Sequence, residues 1–181
     1  MNVKDVTIIP IARELAEIMA MAASLLIRDY CDELIHINAD VPKIIPAYNR
    51  IRAFEDTCKE HHVPYELNLN VCGDSYQELF SQMKIIFADI DEKYPGQKKG
   101  VFLANDTYAN MFLNLIFQKY GCLPDTYELV GFDNSPIASE AILPITTIGQ
   151  QIDVIAHTSM ELLVQQMEER KKRKPVPLAE P

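Results

Sequence analysis

The chain has 181 residues, of which 48% are hydrophobic and 24% charged, and its mean hydropathy of −0.06 excludes a disordered polymer and indicates a globular protein of one domain or two small lobes. The formal net charge of −9 argues against a broad surface for a nucleic-acid backbone, which requires clustered lysine and arginine. No apolar run reaches the roughly 18 residues of a membrane span, and the first residues show no signal peptide, so we expect a cytoplasmic protein without a membrane partner.

Apolar, β-rich runs alternate with helical periodicity along the chain. The predicted strands lie at 6–9, 34–38, 67–71, 100–104, 129–130 and 145–148. The predicted helices lie at 11–28, 45–60, 75–93, 108–119 and 153–172. Asp106 or Thr107 is expected to cap the helix that begins at 108, and Gly121 to end it. This alternation predicts an α/β protein whose parallel sheet is covered by helices on both faces.

Two of the predicted strands end in polar pairs, Asn105-Asp106 and Asp133-Asn134. In a parallel sheet both pairs lie at the same edge, and ligands bind outside the carboxyl ends of the strands. An acid such as Asp133 can accept hydrogen bonds from a polar ligand there, or it can cap the Ser135-Pro136 turn. Arg50 and Arg52 lie near the start of a helix, where a cation opposes the helix dipole, so each either meets a ligand or carboxylate or is exposed to solvent.

Positive signals for catalysis are lacking in the sequence. It contains no GxGxxG, Walker or GxSxG motif, and no Ser/His/Asp set can be assembled. The four cysteines are widely spaced and form no CxxC pair, which favours reduced thiols over a metal site. We therefore expect no enzyme activity, no cofactor and no metal.

Four segments, in the right order and at plausible separations, match motifs of one family. Residues 50–54 resemble an R-x-x-G-F segment, with Ala53 where glycine is usual, and residues 102–106 resemble a strand that ends in Asn-Asp. Residues 123–134 resemble P-x-D-x-x-(I/V)-x-G-(F/Y)-D, and residues 143–150 resemble P-x-L-T-T-(I/V)-x-Q. From about residue 6 to residue 177 the chain resembles the second half of the effector-binding domain of LacI/GalR-family transcription regulators.

This resemblance implies a periplasmic-binding-protein-like fold of type I with two parallel-sheet α/β lobes, the first of them incomplete. We expect residues 1–38 and 136–174 in the N-terminal lobe, residues 39–135 in the C-terminal lobe, and a tail at 175–181. By motif match, Arg50, Asn105 and Asp133 line a cleft that binds a small effector, a sugar or related metabolite. Closure of the cleft is relayed to operator DNA through a DNA-binding domain that this chain lacks.

The resemblance also implies a symmetric homodimer, with a large apolar self-contact expected at the first lobe. Departures from the family pattern leave the effector open: Ala12-Arg13 stands where many sugar-responsive members carry an acid, and Cys72-Gly73 where some place a stacking aromatic residue. An acidic or phosphorylated effector is therefore an alternative. A stand-alone solute-binding protein of the same fold and a small α/β enzyme are the other two classes considered.

Overall fold

The computed structural model describes residues 8–11, 15–39 and 45–150, together with helical positions between 153 and 168. Two compact units are distinguished, Met1–Gln150 and Gln151–Pro181. In the second unit, the described positions fall within the helix predicted at 153–172, and the tail at 175–181 lies outside the described residues. In the described part of the chain, no helix has both the length and the apolar character needed to cross a membrane.

The first unit alternates strands and helices, as the periodicity predicts. Its strands are β1 (Ile8–Ile11), β2 (Glu33–Ala39), β3 (Tyr65–Val71), β4 (Lys99–Leu103), β5 (Tyr127–Asp133) and β6 (Thr146–Gln150). Its helices are α1 (Leu15–Arg28), α2 (Ile45–Glu60), α3 (Tyr76–Lys93), α4 (Asp106–Tyr120) and the short α5 (Pro136–Glu140), which the sequence analysis did not predict.

All six strands belong to one parallel sheet in the order β1-β6-β5-β4-β2-β3. β4 lies in the interior of this sheet and all of its residues are buried, which explains the apolar run that follows Lys99. β1 forms one edge, and Pro10 lies inside it rather than ending it. An edge strand tolerates proline because one side of the strand needs no ladder hydrogen bond.

Helices cover both faces of the sheet and enclose two separate cores, as predicted. On one face, α1 and α2 pack over the sheet through buried residues that include Leu26, Phe54 and Phe102. On the other face, α3, α4 and α5 pack through residues that include Met83 and Phe112. The helices that follow β2 and β4 therefore lie on opposite faces of the sheet.

The predicted division into two lobes is wrong for the described residues. It placed residues 1–38 and 136–174 in one lobe and 39–135 in another, which requires β2 and β4 to lie in different sheets. Instead β2 pairs with β4 from Glu33↔Lys99 to Ile37↔Leu103 and with β3 on its other side. β1 and β6 continue the same sheet beyond β5, so the described strands form one sheet where two were expected.

His36 is buried in the core beneath α1 and α2, against Phe54 and Phe102. Its ring stacks on Phe102 with a centroid distance of 5.1 Å, and Phe54 lies 5.7 Å away. Because a carbonyl oxygen can only accept, Nδ1–H donates to Phe102 O over 3.2 Å, which fixes the neutral tautomer. Burial lowers the pKa of His36 to about 4, outweighing the opposing effect of this hydrogen bond.

The buried imidazole should make stability depend on pH. In the unfolded chain His36 takes up a proton near its ordinary pKa of 6.5, but in the folded protein only near 4. Its stabilising contribution is therefore complete above pH 6.5 and is lost as the pH falls towards 4, by at most on the order of 3 kcal/mol. Urea unfolding across this range should show a shallower pH dependence for His36→Phe, while His61→Gln, a change at an exposed histidine, should behave like the parent. Equal slopes for His36→Phe and the parent would contradict this assignment.

Candidate functional site

The topology of the sheet places a crevice between the carboxyl ends of β2 and β4. These two strands are neighbours, but the chain leaves β2 towards the α1/α2 face and leaves β4 towards the α3/α4 face. In open parallel sheets such a switch point is the usual place for a ligand, because the two connections separate and leave an opening above the strand ends. The candidate site therefore lies at this edge, which we call the carboxyl edge.

Asn105 lies at the carboxyl edge, two residues after the end of β4. Its side-chain oxygen accepts the Tyr108 N–H over 2.9 Å, so Asn105 caps α4 and the predicted cap at Asp106 or Thr107 is wrong. A backbone N–H can be accepted only by the amide oxygen, which fixes the orientation of the Asn105 amide. Its NH2 group is thereby directed away from the cap, with two donors that the helix does not use.

Asp133 is the last residue of β5, which pairs with β4, so Asp133 and Asn105 follow neighbouring strands at the same edge. The φ angle of Asp133 is +102° and that of Asn134 is +52°, two successive non-glycine residues in the strained half of backbone space. Arg50 lies in the second turn of α2, but its side chain lies outside the described residues. The structure thus brings Asn105 and Asp133 to one edge, and the binding role of all three residues stays a prediction.

A cavity of about 510 Å³ opens at the same edge beside the ends of β2 and β3. Its lining includes Ala39, Val71 and Tyr108, together with the polar residues Asp74 and Gln82. Tyr108 is also the residue whose N–H is capped by Asn105, so the cavity and the cap share α4. The size is within the usual range for small-molecule sites.

The loop before α3 shapes this cavity. Ser75 caps α3 by accepting the Glu78 N–H over 3.3 Å, and the Glu78 carboxylate accepts the N–H of Asp74, the residue before the cap, over 2.9 Å. A Cβ at Gly73 would lie 2.9 Å from Glu78 Cβ, so a larger residue does not fit there. The sequence predicted that a helix begins here, at residue 75, but not the cavity, because Ala39 and Tyr108 in its lining lie more than thirty positions away.

A second cluster of polar side chains lies at the amino ends of the strands and holds the fold together. Asp91 on α3 accepts hydrogen bonds from the Tyr127 and Tyr120 hydroxyls, each over 2.7 Å, and from Lys119. Burial raises the pKa of Asp91, but these donors outweigh it and hold the pKa below its ordinary value. Each described donor is satisfied within the cluster, so we interpret the cluster as a structural contact that links α3, α4 and β5. Within the described ranges, no group of three or more His, Cys, Asp or Glu side chains could hold a metal.

Comparison with known proteins identifies the class that this fold and edge define. The model of the periplasmic binding protein-like domain family matches residues 31–181. The chain therefore belongs to the periplasmic binding protein-like domain family. The predicted parallel α/β fold is confirmed, and the similar solved structures include LacI family transcriptional regulators.

The ribose operon repressor of Halalkalibacterium halodurans is 25% identical over 151 residues, which is 83% of this chain and 43% of the repressor. The crystal structure of the transcription regulator CcpA of Lactococcus lactis is similar, with a TM-score of 0.70 and 19% identity over 89% of this chain and 56% of that one. A LacI family regulator from Lactobacillus casei with bound glucose gives a TM-score of 0.69 and 16% identity, over 85% of this chain and 57% of that one. The chain thus spans roughly half the length of these relatives.

Proposed function

We propose that the chain is an effector-binding part of a LacI-type transcriptional regulator, and that it binds a sugar or sugar derivative at the carboxyl edge. The observation that carries this proposal is that Asn105 and Asp133 follow neighbouring parallel strands, next to the switch point between β2 and β4. The glucose bound to the similar Lactobacillus casei regulator supports the class of ligand.

The chemistry of the edge fits a polyhydroxylated ligand. A sugar hydroxyl donates one hydrogen bond and accepts others, so it is matched by an amide donor beside a carboxylate acceptor. Asn105 supplies NH2 donors because its oxygen is engaged in the cap, and Asp133 supplies acceptors. Arg50 would add a forked donor, as the motif match implies.

The rest of the proposed role concerns partners outside these residues. With a formal net charge of −9, the chain itself is poorly suited to a DNA backbone. We therefore assign operator DNA to another part of the regulator, and a cytoplasmic location follows from that partner. The relatives named above are a repressor and regulators, so we assign binding rather than catalysis to this edge.

Asp133→Asn provides a sharp test of the site. Asparagine tolerates a positive φ and keeps the shape of the side chain, so the change removes the charge without straining the loop. Calorimetry with ribose, glucose, sucrose and cellobiose should show binding of at least one sugar by the parent and a loss of roughly 1–3 kcal/mol in the variant. Asp125→Asn, a change at an exposed aspartate in the turn before β5, is the matched control.

A companion variant separates the two roles of Asn105. Asn105→Asp retains an oxygen for the Tyr108 N–H, so α4 should remain capped, but it removes both amide donors. Affinity for the sugar should fall while the urea midpoint changes little. Full affinity in both Asp133→Asn and Asn105→Asp would contradict the proposed site, and no binding of any of the four sugars to the parent would contradict the proposed ligand class.

The homodimer also belongs to this proposal, but at a different surface from the one expected. An apolar groove of about 470 Å³ runs between α3, α4 and the segment after α5, lined by Tyr76, Phe80, Phe117 and Ile142 with the amides of Asn114 and Gln118. Tyr76 is 56% exposed and Ile142 is 60% exposed. None of the lining residues is charged, although the chain carries a net charge of −9, so two copies could meet here around a twofold axis without facing like charges.

Paired isoleucine variants test this surface. Ile142→Glu would place a charge in the groove and opposite its own copy, so sedimentation should show that the affinity of the dimer falls by roughly tenfold or more. Ile85→Glu changes an isoleucine that is 70% exposed on α3 but does not line the groove, and it should sediment like the parent. A parent that remains monomeric at micromolar concentration, or equal effects of both changes, would contradict a dimer through this groove.

A further inference from the structure

Asp106 is a charged side chain buried completely at the carboxyl edge, where it begins α4 directly after Asn105. A carboxylate out of water is unfavourable unless hydrogen bonds replace its hydration. Its two oxygens each accept a short bond: Thr147 Oγ1–H donates to Oδ1 over 2.6 Å, and Ser135 N–H donates to Oδ2 over 2.6 Å. Its place in the first turn of α4 adds the favourable end of the helix dipole.

The two donors come from distant parts of the chain that flank the candidate site. Ser135 lies in the loop that follows β5, and Thr147 is a fully buried residue of β6. The Thr147 hydroxyl also accepts the Asn134 N–H over 3.2 Å, so it links the loop to the carboxylate. Two successive amides of the loop, Asn134 and Ser135, are thus held by Asp106, one of them through Thr147.

These bonds act on the segment whose backbone is strained. Asp133 and Asn134 both have positive φ angles, and each such residue costs on the order of 1–3 kcal/mol unless its surroundings enforce the conformation. The held amides follow Asp133 directly in the chain. The bonds to Asp106 and Thr147 therefore supply the constraint that keeps Asp133 in this conformation.

Two glycines provide the room that this arrangement needs. A Cβ at Gly131 would lie 2.4 Å from Asp106 Oδ1, so alanine in β5 would displace the carboxylate. A Cβ at Gly149 would lie 2.9 Å from Asn134 Cβ, so alanine in β6 would displace the loop. Gly131 in β5 leaves room for the Asp106 carboxylate, and Gly149 in β6 leaves room for Asn134 of the loop. The arrangement therefore depends on a small residue in each of two neighbouring strands.

We infer that Asp106 is a positioning residue of the effector site: through Ser135 and Thr147 it holds the loop 133–135 so that Asp133 is presented at the edge beside Asn105. The expected effect of Asp106 on sugar binding rests on the proposed function. Its expected effect on the conformation of the loop 133–135 does not. Asp106 touches no ligand in this scheme, since both of its oxygens are engaged within the protein.

Asp106→Asn tests the inference because an amide offers one acceptor and one donor group where the carboxylate offers two acceptors. The Ser135 N–H and the Thr147 hydroxyl can then no longer both donate to it. We expect amide hydrogen exchange at Asn134 and Ser135 to become faster in the ligand-free chain, the Ser135 amide proton resonance to move upfield, and affinity for the sugar bound in the four-sugar panel to fall by roughly tenfold or more.

Thr147 supplies variants that keep the test decisive if Asp106→Asn does not fold. Thr147→Val removes the hydroxyl and should reproduce the faster exchange and weaker sugar binding, whereas Thr147→Ser keeps the hydroxyl and should restore both. Thr146→Val, at the neighbouring position outside these hydrogen bonds, is the matched control. If Thr147→Val acted only by lowering the stability of the whole protein, its loop amides would exchange as fast as those of Thr147→Ser once the two variants are compared at equal free energy of unfolding.

The two readouts distinguish the inference from the proposed function. Unchanged exchange at Asn134 and Ser135 in both Asp106→Asn and Thr147→Val would overturn the positioning role, whatever the sugar affinity. Faster exchange with unchanged sugar affinity would overturn the link between the loop and the site. Faster exchange in a chain whose parent binds none of the four sugars would support the positioning of the loop and overturn the proposed function.

Discussion

The carboxyl edge of this sheet depends on the burial of one carboxylate. Asp106 is inaccessible to water and begins α4, and its hydrogen bonds connect that helix to the loop after β5 and to β6. Because an uncompensated buried charge is strongly destabilising, the three elements cannot separate locally without exposing it or leaving it unpaired. The same residue follows Asn105, so the cap of α4, the strained loop and β6 form one connected unit.

The two ends of the sheet are built for different purposes. At the amino ends, the Asp91 carboxylate accepts hydrogen bonds from the hydroxyls of Tyr120 and Tyr127 and from the ammonium group of Lys119. At the carboxyl ends, the connections after β2 and β4 separate to opposite faces, and a cavity opens beside them. Polar groups that hydrogen-bond to one another stabilise a fold. Donors directed away from a cap, such as the NH2 group of Asn105, can instead donate to a ligand.

Local features of the fold could be read from the sequence because they depend on nearby residues. The bounds predicted for α2 agree with the structure, and Gly121 ends α4 with a φ of +72°, as expected for a left-handed cap. The cap of α4 was assigned wrongly because Asn, Asp and Thr are all good caps, and local sequence does not tell which of them has extended backbone. Polar strand ends predicted the edge that carries Asn105 and Asp133, although not the cavity beside it.

Long-range features could not be read in this way. Alternating strands and helices do not state which strands pair, so β2 was assigned to a different lobe from β4, its hydrogen-bonded neighbour. The partners of Asp106 lie 29 and 41 positions away in sequence, beyond any periodic pattern, and its burial follows only from the packing of α4 against β5 and β6. The groove beside Ile142 likewise combines two helices and a segment that no local rule brings together.

The central claim is that a sugar binds at the carboxyl edge of this sheet, and amide chemical-shift mapping of the isotopically labelled chain during titration with the four sugars tests it most directly. The account predicts that a bound sugar changes the amide chemical shifts most at residues 72–74, 105–108 and 133–134. The amide chemical shifts around Asp91 and Lys119 should not change. Shifts concentrated around Asp91 and Lys119, or none for any sugar, would contradict it.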